Sequence, residues 1–194
     1  HLGNGASVAA IKSGVCVDTS MGMTPLEGLV MGTRSGDIDP ALPTFLQCAL
    51  GLDAEAAERL FNKQSGLLGI CGSNDMRTII AQMKKGEKQA QLAFDIFCYR
   101  VKKYIGAYLA VLSKVNGVVF TGGIGENAPL VRSQCLKELE AFGIVLDAAA
   151  NRGVKEGIKR ITHPQGKVEL LVIPTNEELE IAIQAEKLCL PDNP

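Results

Sequence analysis

Between Lys88 and Leu112 apolar side chains recur in steps of three and four, at Ala90, Phe94, Phe97, Val101, Ile105, Tyr108 and Leu112. That spacing draws one stripe along a helix and predicts a core-packing element of about seven turns. Glu87, Gln91, Asp95 and Lys102 fall off the stripe. A stripe of this kind is the ordinary burial pattern, so it calls for no cofactor role. Upstream, Val8–Ile11 and Val15–Asp18 are two β-prone runs around Lys12-Ser13-Gly14, which predicts a hairpin. Thr24-Pro25-Leu26-Glu27 has a capping residue, a proline at the first helical position and a carboxylate at the box position, and predicts a helix to about Gly32.

The pattern continues with a helix over residues 41–49, another over 54–61 capped by Asp53, and a tight apolar segment at 65–70. A helix through Lys84, capped by Ser73 or Asn74, comes next. Asn116-Gly117 then turns the chain into Val118-Val119-Phe120, three β-prone residues that run straight into Thr121-Gly122-Gly123-Ile124-Gly125-Glu126-Asn127. A helix is expected over 127–142, a strand over 168–173, and a final helix led by Thr175-Asn176-Glu177-Glu178, read as a capping box, and ending near Leu190. A hairpin followed by alternating helices and strands predicts an α/β fold with a mixed sheet and helices on its faces, one domain over residues 1–194.

Composition narrows the function classes. Net charge is −1 with acids and bases interspersed, so there is no basic stripe for nucleic acid. No apolar run approaches the ~20 residues of a membrane span. The six cysteines are scattered without a C-x-x-C pair, which argues against structural zinc and a disulfide scaffold and fits a reducing cytoplasm. Two histidines, His1 and His163, exclude a multi-histidine metal centre. Neither G-x-x-x-x-G-K-[ST] nor G-x-G-x-x-G occurs, and no serine has a plausible histidine partner for a hydrolytic triad.

Three polar, glycine-rich loops remain: 1–7, 33–40 and 121–127. Strand, glycine turn and helix at 118–142 is the geometry that brings backbone N–H groups to a phosphate or nucleotide. His1-Leu2-Gly3-Asn4-Gly5 is a similar loop without its strand, which predicts that the chain is part of a longer protein. Arg34, flanked by Thr33, Ser35 and Gly36, admits two readings. Its planar fork suits the oxygens of a transferring phosphoryl group, or it forms a structural ion pair with Asp37 or Asp39. Glu177 likewise either complements a helix dipole or holds Mg²⁺ beside phosphates.

The motifs together resemble the acetokinase family, the acetate and propionate kinases. The resemblance is carried by His1–Gly5, by the run from Asp18 to Leu29 and on through Met31–Asp37, by Phe120–Asn127, and by Ile173–Glu178. It implies an actin-like, Hsp70-like and sugar-kinase-like ATPase domain, a ribonuclease H-like mixed sheet flanked by helices, one of two domains that close over ATP. This chain would be the C-terminal, nucleotide-binding one. On matching positions, His1, Leu2, Gly3, Asn4 and Gly5 would line the ATP phosphates, Asp75, Met76 and Arg77 would contact the nucleotide, and Gly123, Ile124, Gly125, Glu126 and Asn127 would hold the adenosine end. Arg34 would stabilise the transition state and Glu177 would bind Mg²⁺. The implied reaction is phosphoryl transfer between ATP and a short-chain carboxylate, acetate or propionate, by a cytoplasmic homodimer. A nucleotide-binding module of the same fold without transfer activity is the alternative.

Overall fold

The computed structural model describes residues 1–153 and 157–189. Its order is β1 (Ala9–Lys12), β2 (Val15–Thr19), α1 (Leu42–Leu50), α2 (Ala54–Lys63), α3 (Gly66–Cys71), α4 (Met76–Lys84), α5 (Lys88–Leu112), β3 (Gly117–Phe120), α6 (Gly122–Asn127), α7 (Pro129–Leu136), α8 (Ala148–Arg152), β4 (Lys159–Arg160), β5 (Glu169–Val172) and α9 (Glu177–Cys189). β1 and β2 form an antiparallel hairpin with an irregularity between Ala10 and Ile11. β3 runs parallel to β5, and β4 antiparallel to it, giving the expected mixed sheet in the order β3-β5-β4.

The stripe on α5 is buried as its spacing requires: Ala90, Phe94, Phe97, Val101, Ile105 and Tyr108 all face inward, with Phe97 fully enclosed. Such a side chain contributes about 1.5–3 kcal/mol by leaving water. α5 packs against α3, α4, α7 and β1, so it is the spine on which these elements are mounted. Phe120, Leu170 and Val172 from the sheet join the same buried cluster, as do Leu29, Val30 and Met31. All six cysteines are free, two of them (Cys98 and Cys135) buried.

Local expectations are corrected at several points. No helix forms over 24–32: the Leu26 N–H bonds to the Thr24 hydroxyl in a tight turn, and Gly28 has φ +100, which breaks helical continuity. The chain there is irregular, and its apolar residues enter the core as a loop. The tight apolar segment at 65–70 is resolved as helix α3. α4 is capped by Asp75, whose carboxylate accepts the Arg77 N–H, rather than by Ser73 or Asn74. The glycine turn is itself helical (α6), and the helix expected over 127–142 is split into α6, α7 and a 3-10 turn at Glu140–Phe142.

The split has a local cause. Ala128, before Pro129, is held out of the helical region at φ −111, ψ 83. Glu138 at φ 63 then ends the next segment. At the last helix, Asn176 rather than Thr175 accepts from the Leu179 N–H, so Glu178 is not at a capping-box position. The expected helix end at Leu190 lies outside the described residues.

Candidate functional site

The first loop is a closed staple. The His1 backbone nitrogen donates to the Ser7 carbonyl and the Ser7 N–H donates back to the His1 carbonyl, both at 2.9 Å, while Gly3 N–H bonds to the Gly5 carbonyl. The staple is joined to the glycine turn by backbone alone. Leu2 N–H donates to the Thr121 carbonyl at 2.8 Å, and the Leu2 carbonyl accepts from both Ile124 and Gly125. Gly122 makes this possible. It sits at φ +80, and a Cβ there would lie 2.8 Å from the Leu2 carbonyl oxygen, a conformation and a proximity open only to glycine.

The turn is fixed from two further sides. Glu126 Oε1 accepts from Gly122 N–H at 2.9 Å and from Thr175 N–H at 3.1 Å. The Thr175 hydroxyl pairs with that of Thr121 and accepts from Gly122 N–H. Underneath, Arg132 is fully buried and donates to the carbonyls of Gly125 (2.7 Å), Glu126 (2.9 Å) and Asn151 (2.8 Å), and to Asn151 Oδ1 (2.7 Å). Burial holds its pKa below the ordinary arginine value, and four oxygens rather than a carboxylate stabilise the charge.

Between this turn, the first loop and α4 lies a cleft of about 830 Å³. It brings together Gly3 and Asn4, then Asp75, Met76 and Arg77, then Gly123, Ile124 and Asn127, from three distant stretches of chain. Ala148, Asn151 and Arg152 close its far side. The volume and the mixed apolar and polar lining are those of a small-molecule site. Asp75 and Arg77 form an exposed bidentate pair on its rim, and that pair, with the Arg77 N–H, holds the Asp75 carboxyl below its usual range.

Not every expected residue faces the cleft. Leu2 and Gly125 are buried beneath it, Glu126 is spent on the turn, and His1 and Gly5 lie outside its lining. Lys84, Ile80 and Ser133 line it without having been singled out. Arg77, Ile80 and Lys84 are three and four apart on one helix, so one face of α4 carries all three, a signal that the position of Arg77 already offered.

Arg34 sits beside the first loop. Its Nη1 is 3.4 Å from where a Cβ on Gly5 would stand. It donates to the Pro25 carbonyl at 3.3 Å and touches Met31 Sδ, and among the described residues it makes no ion pair. The ion-pair reading is thereby removed. Asp37 is taken by Arg100 at 2.7 Å and Tyr104 at 2.9 Å, and Asp39 accepts the Ala41 N–H. Glu177 is exposed at the start of α9, two residues beyond the Thr175 that is tied to the glycine turn. Among the described residues no cluster of three or more ligating side chains forms a ready-made metal cage.

The family model for the acetokinase family matches residues 1–183. The acetate kinase of Oleidesulfovibrio alaskensis is 57% identical over 183 residues, covering 94% of this chain and 45% of that protein. The acetate kinase of Campylobacter jejuni subsp. doylei is 56% identical over 188 residues, covering 97% and 48%. Among solved structures, Porphyromonas gingivalis acetate kinase superposes with a TM-score of 0.93 at 47% identity, covering 98% of this chain and 48% of that one. A propionate kinase from Francisella tularensis gives 0.89 at 45% identity, covering 94% and 46%. This chain spans about half the length of the relatives it matches, and it has the fold of that half, as the actin-like expectation required.

Proposed function

The chain belongs to the acetokinase family, and on that premise we propose that it supplies the nucleotide-binding half of a kinase that moves a phosphoryl group between ATP and a short-chain carboxylate. Acetate is the favoured acceptor, since the curated relatives are named acetate kinases. Propionate stands as the alternative because of the Francisella neighbour. The observation that carries the reading is Arg34, a cation beside the first glycine loop with no carboxylate partner among the described residues.

In this reading ATP lies in the cleft, its base and ribose against Ile124, Asn127 and Met76, its phosphates running toward Gly3, Asn4 and Gly5. A carboxylate oxygen is already nucleophilic and needs no general base. Catalysis therefore rests on alignment and on neutralising charge on the transferring group. Arg34 offers the planar donor fork for that charge. Backbone N–H groups, fixed by the Leu2–Thr121 stitching, keep the nucleotide still without the entropy cost of long side chains.

Mg²⁺ fits the donor set as an ion shared with phosphate oxygens and water. Magnesium commonly takes only one or two protein carboxylates, and Glu177 is exposed and uncommitted to the α9 cap. It would offset negative charge on the phosphates. The homodimer and cytoplasmic location belong to the same proposal. Ile11, Val15 and Val17 on the hairpin and Leu179 and Ile181 on α9 leave apolar surface open to a second copy or to the other half of the enzyme. No described helix is long and apolar enough to cross a membrane.

Arg34→Ala in the complete enzyme tests the role. Turnover is expected to fall by about a hundredfold or more, with the Kd for ATP changed less than about threefold. Equal losses in turnover and ATP affinity would move Arg34 from transfer to plain binding and favour the non-catalytic module.

A further inference from the structure

We infer that Asp37, clasped by Arg100 and Tyr104 of α5, is a positioning residue for Arg34, an inference that rests on the transfer role proposed for that arginine. The segment from Gly28 to Asp37 is a loop closed at its own ends. Asp37 N–H donates to the Gly28 carbonyl at 3.1 Å, and Gly28 N–H donates to Asp37 Oδ1 at 2.8 Å. The other carboxylate oxygen accepts from Arg100 Nη1 at 2.7 Å and from the Tyr104 hydroxyl at 2.9 Å. One side chain thus shuts the loop and bolts it to the longest helix of the fold. Tyr104 answers to the same contact. Burial, then the bond to Asp37, pushes its pKa up to about 12, so the hydroxyl keeps its proton and remains a donor.

The inside of the loop is just as constrained, and the constraints converge on Arg34. Its carbonyl accepts from Met31 N–H at 3.1 Å, Gly32 N–H reaches the Asn4 carbonyl of the first glycine loop at 2.9 Å, and Ser35 N–H reaches Phe61 at 3.0 Å. A Cβ on Gly66 would run into the carbonyls of Met31 and Arg34, and one on Gly36 into that of Leu29. The loop can therefore not slide along its neighbours. It can only hinge at its ends, and the ends are where Asp37 acts. Among the described residues, the guanidinium itself has only the weak 3.3 Å bond to Pro25 and the Met31 sulfur to orient it. Its position is inherited from the backbone below, and a side chain inheriting its position is sensitive to small shifts there. Misplacement by about an ångström costs on the order of a hundredfold in rate.

Asp37 does not reach the cleft: it is absent from its lining and spends both oxygens on the clasp. Loss of the clasp should therefore lower turnover and leave nucleotide affinity nearly alone, a split that general destabilisation would not produce.

The test is a cycle of steady-state kinetics on the complete enzyme with Asp37→Asn, Arg34→Ala and the two combined. Asp37→Asn alone is expected to reduce kcat about tenfold with KM for Mg-ATP within about twofold. In the Arg34→Ala background the same substitution should cost less than about twofold, because the residue it positions is gone. Tyr104→Phe, which removes one of the clasp bonds, should show the same pattern at smaller amplitude, and it carries the cycle if Asp37→Asn does not fold. A full loss from Asp37→Asn on top of Arg34→Ala, or a KM rise as large as the kcat fall, overturns the inference while the role of Arg34 stands. Unchanged turnover in Arg34→Ala overturns the role of Arg34, and the inference with it.

Discussion

Arg132 is a cation in the interior with no carboxylate partner among the described residues, and replacing it exposes what it holds. In Arg132→Leu, four charge-assisted bonds vanish: those to the carbonyls of Gly125, Glu126 and Asn151 and to Asn151 Oδ1. An orphaned buried acceptor costs about 1–3 kcal/mol. The acceptors would sum to more than the variant should lose, because the substitution also removes a desolvated charge, and burying that charge was itself unfavourable. The net expectation is about 3–5 kcal/mol, the upper part of the single-substitution range, where the breaking of a buried hydrogen-bond network belongs. For a domain with ~5–15 kcal/mol of stability that is severe.

Arg132→Lys keeps the charge with three donors in place of a fork and should lose about half as much. Urea denaturation of both variants measures the difference. The cost should come with weaker Mg-ATP binding, because Gly125, Glu126 and Asn151 shape the turn and the cleft wall. If Arg132→Leu unfolds within about 1 kcal/mol of wild type, the buried bonds are not holding the turn and the reasoning fails.

Two further outcomes are expected. Glu177→Gln should raise the Mg²⁺ concentration needed for half-maximal activity while leaving the melting temperature unchanged, since Asn176 rather than Glu177 makes the cap. Unfolding of the variant would restore the purely structural reading. Asp147→Asn should flatten the acid limb of stability. The N–H groups of Ala150 and Ala149 hold the Asp147 carboxyl below its usual range. Its folded pKa is thus lower than its unfolded one, so its contribution is full at neutral pH and is lost as pH falls below the ordinary carboxylate range. Urea midpoints compared at about pH 7 and about pH 3 should converge in the variant relative to wild type.

Much of this architecture could be read along the chain, and the exceptions share a cause. α5 was visible because burial writes its period into the sequence, and Asp53 capped α2 where a short polar residue before an amphipathic run should. β3 and β5 were legible as β-prone runs, whereas β4, whose antiparallel pairing makes the sheet mixed, is two charged residues in a stretch without a strand pattern. The helix expected over 24–32 failed because its capping signals were local, whereas Gly28 answers to Ser20, where a Cβ would collide with the carbonyl. Arg34 could not be assigned from its neighbours. The carboxylate closest in sequence, Asp37, is claimed by Arg100 and Tyr104, 63 and 67 residues away. Arg132 carries no motif within the helix expected over 127–142, and only the packing of α6 and α8 around it reveals a clamp. The cleft residues with family motifs were foreseen. Lys84 and Ser133, which carry no motif, were found by geometry.

The central claim, that the cleft between α4 and the glycine turn holds the nucleotide, is tested most directly at Gly123. It lines the cleft, its φ lies outside the left-handed range, and a Cβ there would meet no atom within 4 Å beyond its chain neighbours and the backbone of its own helix. A valine at this position reaches into ligand space from a Cβ that has room. Calorimetric titration with Mg-ATP should show binding to the wild-type chain and a loss of at least about tenfold in affinity for Gly123→Val, with melting temperatures within a few degrees. Undiminished Mg-ATP affinity in a well-folded Gly123→Val variant would contradict the account.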